Sequence, residues 1–596
     1  MLSRKRIWCV SVVVVLCASL GLSAITISQD GQAKTIIVIA SDAPEPEQHA
    51  AKELAEFLGK IAGAKFESAG QAKQNASCIF VGPAAAKWAD EPVSTDGLGA
   101  EGIVIKTVGD DLVLAGGQPR GTLYAVYSFL EDQLGCRWWS STESTIPSKP
   151  TITIDGLNVR YVPPLEYRSP FWFDAFDGDW AARNKCNGQA HRLEAMHGGK
   201  HVYEGFVHTF YPLIPPQKYF ADHPDWFSEI NGKRTTDNAQ LCLTNDEMRK
   251  ELVKNLKERL RNNPAATIAS VSQNDCIGNC QCKSCAAIEQ EEGSPAGLML
   301  RFVNAVAADI EQEFPNVAIS TLAYQYTRKP PKITKPRDNV IVQLCSIECS
   351  FSKPLADERN KAFRDDIVGW SPICKRLYIW DYTTNFRHHI MPHPNLRVLG
   401  PNVKFFADHN VKGIFEQGAY GTNGAEMAEL RAWVLAKLLW DPSRDGQALT
   451  NEFIDGYYGP AAPHIKAYLK VTHDAVEQSG DWLGCFEQVF AKYLSFDTLS
   501  RGWQCLKAAE ATVQDNPDLR FRVQVAQLPV LYTFLMRWNE MRDAAKTAGA
   551  EWPMPQTAKD TRDQFLTIAK KKDVTRLSEG QAGFVALDKA VEQAKN

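Results

Sequence analysis

Residues 265–275 read Ala-Ala-Thr-Ile-Ala-Ser-Val-Ser-Gln-Asn-Asp, an apolar and β-branched run that ends in polar residues. The run is too short for a buried helix and suits a pleated surface, so it reads as a buried strand that opens into a polar loop. A helical pattern follows at 298–314, and the same alternation extends in both directions. Strand-like runs fall at 165–173, 201–210, 240–244, 317–326, 339–347, 376–382 and 411–415, and a helix follows the third at 246–261. About eight strands separated by helices over roughly 270 residues are the signature of a (β/α)8 TIM-like barrel. The expected fold is therefore α/β, with the barrel at 160–424.

Two other regions flank it. Residues 30–155 combine strands at 35–40, 78–81 and 102–105, a hairpin partner at 110–115 and helices at 48–63 and 121–135, which describes a small α+β domain. Beyond residue 424 strand patterns stop, and residues 425–596 read as a helical domain punctuated by Asp-Pro, Tyr-Gly-Pro and Asn-Pro. At the other end, Arg4-Lys5-Arg6 precedes an apolar stretch free of charge up to Ala24, so residues 1–24 read as a secretory signal peptide. The expectation is an exported bacterial protein, periplasmic or extracellular, with no stable membrane insertion after cleavage. A net charge of -4 gives no basic excess, which excludes nucleic acid as the expected partner.

In such a barrel, chemistry gathers where strands end. Four strand ends present an acid: Asp275, Glu348, Asp381 and Glu416. Glycosidic cleavage needs one carboxyl to protonate the leaving oxygen and a second to act as base, nucleophile or orienting group, so these four are the candidate catalytic residues. Around them Arg168, His208, Asn274, Tyr326, Trp380 and Tyr382 are candidates for binding a glycan, whose apolar ring faces stack on aromatic planes. A single acid of this kind is more often a helix cap or an ion-pair partner, and the functional reading rests on the four together. No P-loop, Rossmann glycine fingerprint, Gly-x-Ser-x-Gly elbow or His-Glu-x-x-His helix occurs, so no cofactor is expected for catalysis.

Cys276, Cys280, Cys282 and Cys285 lie within ten residues, directly after the strand at 265–272. Four thiolates so spaced suit a structural zinc, whereas in an exported protein they suit one or two disulfides equally well. Either arrangement would pin the loop that carries Asp275.

Several motifs resemble known families. Gly121-Thr-Leu-Tyr-Ala-Val-Tyr127 with Leu134-Gly-Cys-Arg-Trp138 resembles the accessory domain of glycoside hydrolase families 20 and 67. Phe206-Val-His-Thr-Phe210, His223-Pro-Asp-Trp-Phe227, Asn231-Gly-Lys-Arg234, Gln240-Leu-Cys-Leu-Thr-Asn245, Ser272-Gln-Asn-Asp275 and the Cys280-x-Cys282-x2-Cys285 spacing resemble the bacterial family known as domain of unknown function 4838, which overlaps glycoside hydrolase family 163. The resemblance implies a retaining, substrate-assisted hydrolase of N-acetylglucosaminide linkages, with Arg168 matching the arginine that holds the terminal sugar in family 20. Family 20 carries adjacent Asp-Glu where this chain has Asn274-Asp275. The expectation is therefore that Asp275 orients the acetamido group and Glu348, from another strand, is the acid. Two alternatives stay open: a uronic-acid hydrolase of the α-glucuronidase type, with Arg168 or Arg387 receiving the substrate carboxylate, and a carbohydrate-binding protein without catalysis.

Overall fold

The computed structural model describes residues 24–72 and 76–595, so the expected leader lies almost wholly outside the described residues. The chain forms two compact units, one of them running to Gln133 and taking back Pro147–Tyr161, the other holding Leu134–Ile146 and Val162 onward. In the first unit, the strands Thr35–Ile39, Ser77–Val81 and Asp111–Gly116 lie parallel, and Ile103–Val108 returns antiparallel on the last of them as the expected hairpin. Helices Glu45–Ala62 and Gly121–Asp132 accompany this sheet. The segment Leu134–Ile146 belongs to the second unit, where Trp139 packs on Trp433 at 5.1 Å between ring centroids.

The second unit is built on seven parallel strands: Tyr167–Phe171, Tyr203–Glu204, Ile268–Ser270, Ala318–Ala323, Val340–Cys345, Arg376–Tyr382 and Val411–Gln417. In this order they are numbered one to seven, and their order across the sheet is one, seven, six, five, four, three, two. The sheet curls until Tyr167 of the first strand meets Tyr203 of the second at 6.2 Å, but no ladder joins these two strands among the described residues. The result is an open, curled half-barrel rather than the closed eight-stranded barrel expected.

The missing strand is the segment read at 240–244. It makes single bridges only, Phe227 with Leu241 and Ala239 with Gly278, and so joins the cysteine-rich loop instead of the sheet. The Gln240 side chain fixes this choice, donating to the carbonyls of Asn274 (3.0 Å) and Cys276 (2.6 Å). The helix expected after it, Asp246–Asn262, begins where Asn245 accepts the Met248 N–H at 2.9 Å.

Inside the curl, Tyr167, Ile268, Ala318, Ile341, Tyr378 and Phe415 form a buried core. Gly413 is its narrow point. It pairs with Tyr167 on one side and Tyr378 on the other, and the two rings stack across it at 5.5 Å between centroids. A methyl group at Gly413 would lie 2.7 Å from the Tyr378 ring and 2.8 Å from the Tyr167 Cβ. Helix Ala428–Trp440, buried on every side, leads on to the expected helical region, which includes helices Pro517–Met536 and Trp538–Ala548, separated by a break at Arg537. Among the described residues, no helix is long and apolar enough to cross a membrane.

Gly413→Ala should therefore overpack the closure of the sheet and cost about 1–3 kcal/mol. The urea midpoint of unfolding should fall with an unchanged denaturant slope. An unchanged midpoint would mean that the tyrosine stack does not set the curvature.

Candidate active site

A cleft of about 250 Å³ opens at the C-terminal ends of the strands, where parallel barrels place their sites. Trp380 and Tyr382 supply an aromatic wall, with ring centroids 6.3 Å apart and planes inclined by 25°. Phe386 stands edge-on to Tyr382, and Phe486, from a loop between C-terminal helices, packs against Phe386 at 5.6 Å. Val207, Leu322, Cys345 and Ile347 complete the apolar lining.

Two carboxylates line the cleft, Asp275 and Glu579. The Tyr324 hydroxyl donates to Asp275 Oδ1 at 3.1 Å. Burial, followed by the charge of Asp275, raises Tyr324 above the usual phenol range, so it remains a proton-bearing donor. The loop beneath is held by side chain-to-backbone bonds: Asn274 N–H to Gln240 Oε1 at 2.8 Å and Asn274 Nδ2 to the Ala239 carbonyl at 2.9 Å. Asn274 is thus the residue that anchors Asp275 rather than one that faces the cleft.

Glu579 arrives from the far end of the chain. After helix Ala558–Lys571 the backbone returns to the sheet, where Leu577 O accepts from His389 N–H at 2.8 Å and Glu579 N–H donates to Phe386 O at 2.8 Å. Its Oε1 accepts from Gln417 Nε2 at 3.2 Å and from the Tyr420 hydroxyl at 3.0 Å, while Gln417 Oε1 accepts from Trp380 Nε1 at 2.8 Å. One hydrogen-bond chain thus ties the aromatic wall to the carboxylate. The sequence carries no signal for Glu579 beyond an acid in a glycine-containing turn, Ser578-Glu-Gly580.

His208 also lines the cleft. Its φ of 56° is in the left-handed region, which a side chain with a Cβ rarely adopts. Its Nδ1 lies 2.8 Å from the Gln273 carbonyl and must donate to it, which fixes the ring against the loop that carries Asp275.

The remaining expected residues lie elsewhere. Along a strand, side chains alternate between faces. Tyr378, Trp380 and Phe415 take the inner face, so Asp381 and Glu416, register partners on strands six and seven, take the other. Arg168, next to the inward Tyr167, likewise points away from the cleft. It donates to the carbonyls of Leu165 (2.7 Å) and Lys185 (2.8 Å) and stacks over Trp440 at 5.4 Å. Glu348 follows the lining residue Ile347, but its side chain is 44% exposed and is paired with Arg328 at 2.9 Å. Tyr326 sits near Cys276 and Glu289 and does not line the cleft. Of the ten expected catalytic and binding residues, the cleft is lined by Asp275, His208, Trp380 and Tyr382. The cysteine cluster is regrouped as well. Cys280, Cys282 and Cys285 gather with Cys242, and Cys276 stands apart.

The chain matches the family described as a domain of unknown function (DUF4838) over residues 138–470, more than half its length, and belongs to that family. Residues 24–129 match the glycosyl hydrolase family 67 N-terminus. No curated protein sequence matches the chain. Among solved structures, it is similar in fold to a family GH115 4-O-methyl-α-glucuronidase, BtGH115A, with specificity for decorated arabinogalactans. That match has a TM-score of 0.61 and 10% identity and covers 96% of this chain and 80% of the other. A second match, CpGH84B, has a TM-score of 0.42 and 11% identity over 96% of this chain and 98% of the other.

The Asp381–Glu416 pair has a consequence for stability. Burial pushes Asp381 up to about 6 despite hydrogen bonds from Ser346 and the Tyr382 N–H. Burial first, and then the charge of Asp381, pushes Glu416 well above the carboxylate range, and neither of its oxygens has a partner. Unfolded carboxyls titrate near about 4, so above that pH the native state retains protons that the unfolded state releases, and stability falls as pH rises through the folded values. Glu416→Gln should therefore raise stability more at pH 8 than at pH 5. The difference should be on the order of 1 kcal/mol, since one pKa unit is worth about 1.4 kcal/mol. Equal gains at both pH values in thermal melts would show that the pair does not titrate there.

Proposed function

We propose that the protein is a glycoside hydrolase acting on a 2-acetamido sugar linkage. The observation that carries this reading is the electrostatic character of the cleft. Its described lining residues include two carboxylates, Asp275 and Glu579, and neither a lysine nor an arginine. A uronic acid brought into such a cleft would place a further negative charge beside Asp275 with no lysine or arginine among the lining residues to receive it, whereas a neutral acetamido sugar adds none. Arg387 does not line the cleft but an adjoining cavity that shares Phe386, Phe486 and Glu579 with it, and Arg168 is on the other face of the sheet.

In this mechanism Asp275, oriented by the Tyr324 hydroxyl, accepts the acetamido N–H and turns the acetamido oxygen toward the anomeric carbon. That oxygen attacks as the glycosidic C–O bond breaks, and Glu579 gives its proton to the departing oxygen. Water then opens the cyclic intermediate and returns a proton to Glu579, so the configuration is retained and one water is consumed. Trp380 and Tyr382 offer their faces to the sugar ring, and Leu322 and Ile347 offer apolar surface to the acetamido methyl. Glu579 takes the part that the sequence alone suggested for Glu348.

The test is turnover of complex N-glycans, an aryl β-N-acetylglucosaminide and an aryl glucuronide by the wild type and by Asp275→Asn, Glu579→Gln and Glu348→Gln. The acetamido substrates should be cleaved. The first two variants should lose about 10²–10⁴-fold in kcat on a natural leaving group, and Glu348→Gln should stay within tenfold. Cleavage of the glucuronide alone would replace this reading with the uronic-acid one. Sugar binding without turnover of any substrate, unchanged by Asp275→Asn, would make the protein a carbohydrate-binding one.

A further inference from the structure

Behind the Asp275 loop, Cys242, Cys280, Cys282 and Cys285 are buried, and their four sulfurs all lie within 4.8 Å of one another. We infer that these four cysteines bind one zinc ion as a closed tetrahedral site that holds the Asp275 loop in place.

The distances decide between metal and disulfides. Cys242 Sγ is 3.8 Å from Cys282 Sγ and also 3.8 Å from Cys285 Sγ. A disulfide would bring one pair to about 2.05 Å and leave the others apart. A tetrahedron with Zn–S bonds of about 2.3 Å has edges of about 3.8 Å, which is the spacing of Cys242 from both Cys282 and Cys285, with the remaining pairs within 4.8 Å. Equal separation of one sulfur from two others suits four ligands on a common centre and does not suit a pairing. With four thiolates the site has no open position, so its role is structural rather than catalytic.

The surroundings suit bound thiolates. The Glu229 N–H points at Cys280 Sγ at 3.3 Å, and Arg234 Nη1 lies 3.6 Å from the same sulfur. The Thr244 hydroxyl is 3.3 Å from Cys285 Sγ. A zinc with four thiolates carries a net charge of about -2, and these donors and the guanidinium offset part of it, as outer partners of metal ligands do. Leu243, Ile288 and Leu298 cover the cluster with apolar surface.

Cys276 is excluded by its position. Its sulfur is engaged with Gln240 Nε2 at 3.3 Å and the Ala239 carbonyl at 3.6 Å. Those same residues, 239 and 240, hold Asn274. The metal would therefore fasten residue 242 to residues 280–285, and the bonds from residues 239–240 would pass that constraint to Asp275. The zinc does not depend on the proposed substrate.

The experiment is elemental analysis of the purified full-length protein by plasma mass spectrometry, with thiol counting under denaturing conditions. About one zinc per chain is expected, and Cys242→Ser should lose it while Cys276→Ser keeps it. Stripping the wild type with a strong chelator should raise amide hydrogen exchange across residues 238–245 and 274–285 ahead of the rest of the chain. Bound iron in place of zinc would overturn the choice of metal. Metal-free protein in which all four thiols react, or in which they are joined as disulfides, would overturn the site. If Cys242→Ser fails to fold, the metal content of the wild type alone decides.

Discussion

The curvature of the seven-stranded sheet rests on two tyrosines stacked across a glycine. Tyr167 and Tyr378 can face each other at 5.5 Å only because Gly413, between them in register, presents no Cβ. A flat sheet would leave those rings exposed on one face, and the curl buries them together with Phe415 and Ile341. Everything at the mouth follows from that curl. It brings the ends of strands as far apart in sequence as those preceding Asp275 and Gln417 around one cleft.

The order of the strands was legible because each carries a short apolar run between turn and helix signals, and seven of the eight runs are strands. The run at 240–244 was misread because its pattern is equally that of a buried loop segment. What decides its fate is the Gln240 side chain and the pull of Cys242 toward three distant cysteines, neither of which periodicity reports. The same blindness explains the cysteine cluster. Four cysteines close in sequence suggested themselves as a set, but the chain turns Cys276 into the Ala239–Gln240 bonds, and Cys242 joins from a different loop.

The site residues divide by a rule that was available in the sequence. Asp381 lies between Trp380 and Tyr382, Glu416 between Phe415 and Gln417, and Arg168 next to Tyr167. With a period of two, neighbours of an inward aromatic face outward, so the acids at these positions could not share the cleft with the aromatics beside them. Nearness to a strand end selects candidates, and parity selects among them. Asp275 and His208 escape the rule because they sit on loops, whose direction depends on side chain-to-backbone bonds such as those of Asn274 and Gln273. Glu579 lay beyond reach altogether, since it depends on a C-terminal segment returning across the sheet to pair with Phe386.

The architecture and the cleft carry different information about substrate. The similarity in fold to a glucuronidase extends over almost the whole chain at 10% identity, which leaves the side chains at the mouth free to differ. A carboxylate-bearing sugar requires a cation where it binds, and guanidinium is the group best shaped for it. Here the arginine on the first strand is committed to two backbone carbonyls and a tryptophan, and Arg387 lines an adjoining cavity instead of the cleft. What remains at the mouth is a histidine, a tyrosine held in its proton-bearing form, an aromatic wall and two acids. Such a set can bind an uncharged ring and orient a neutral amide, and no lysine or arginine is among the residues that line it.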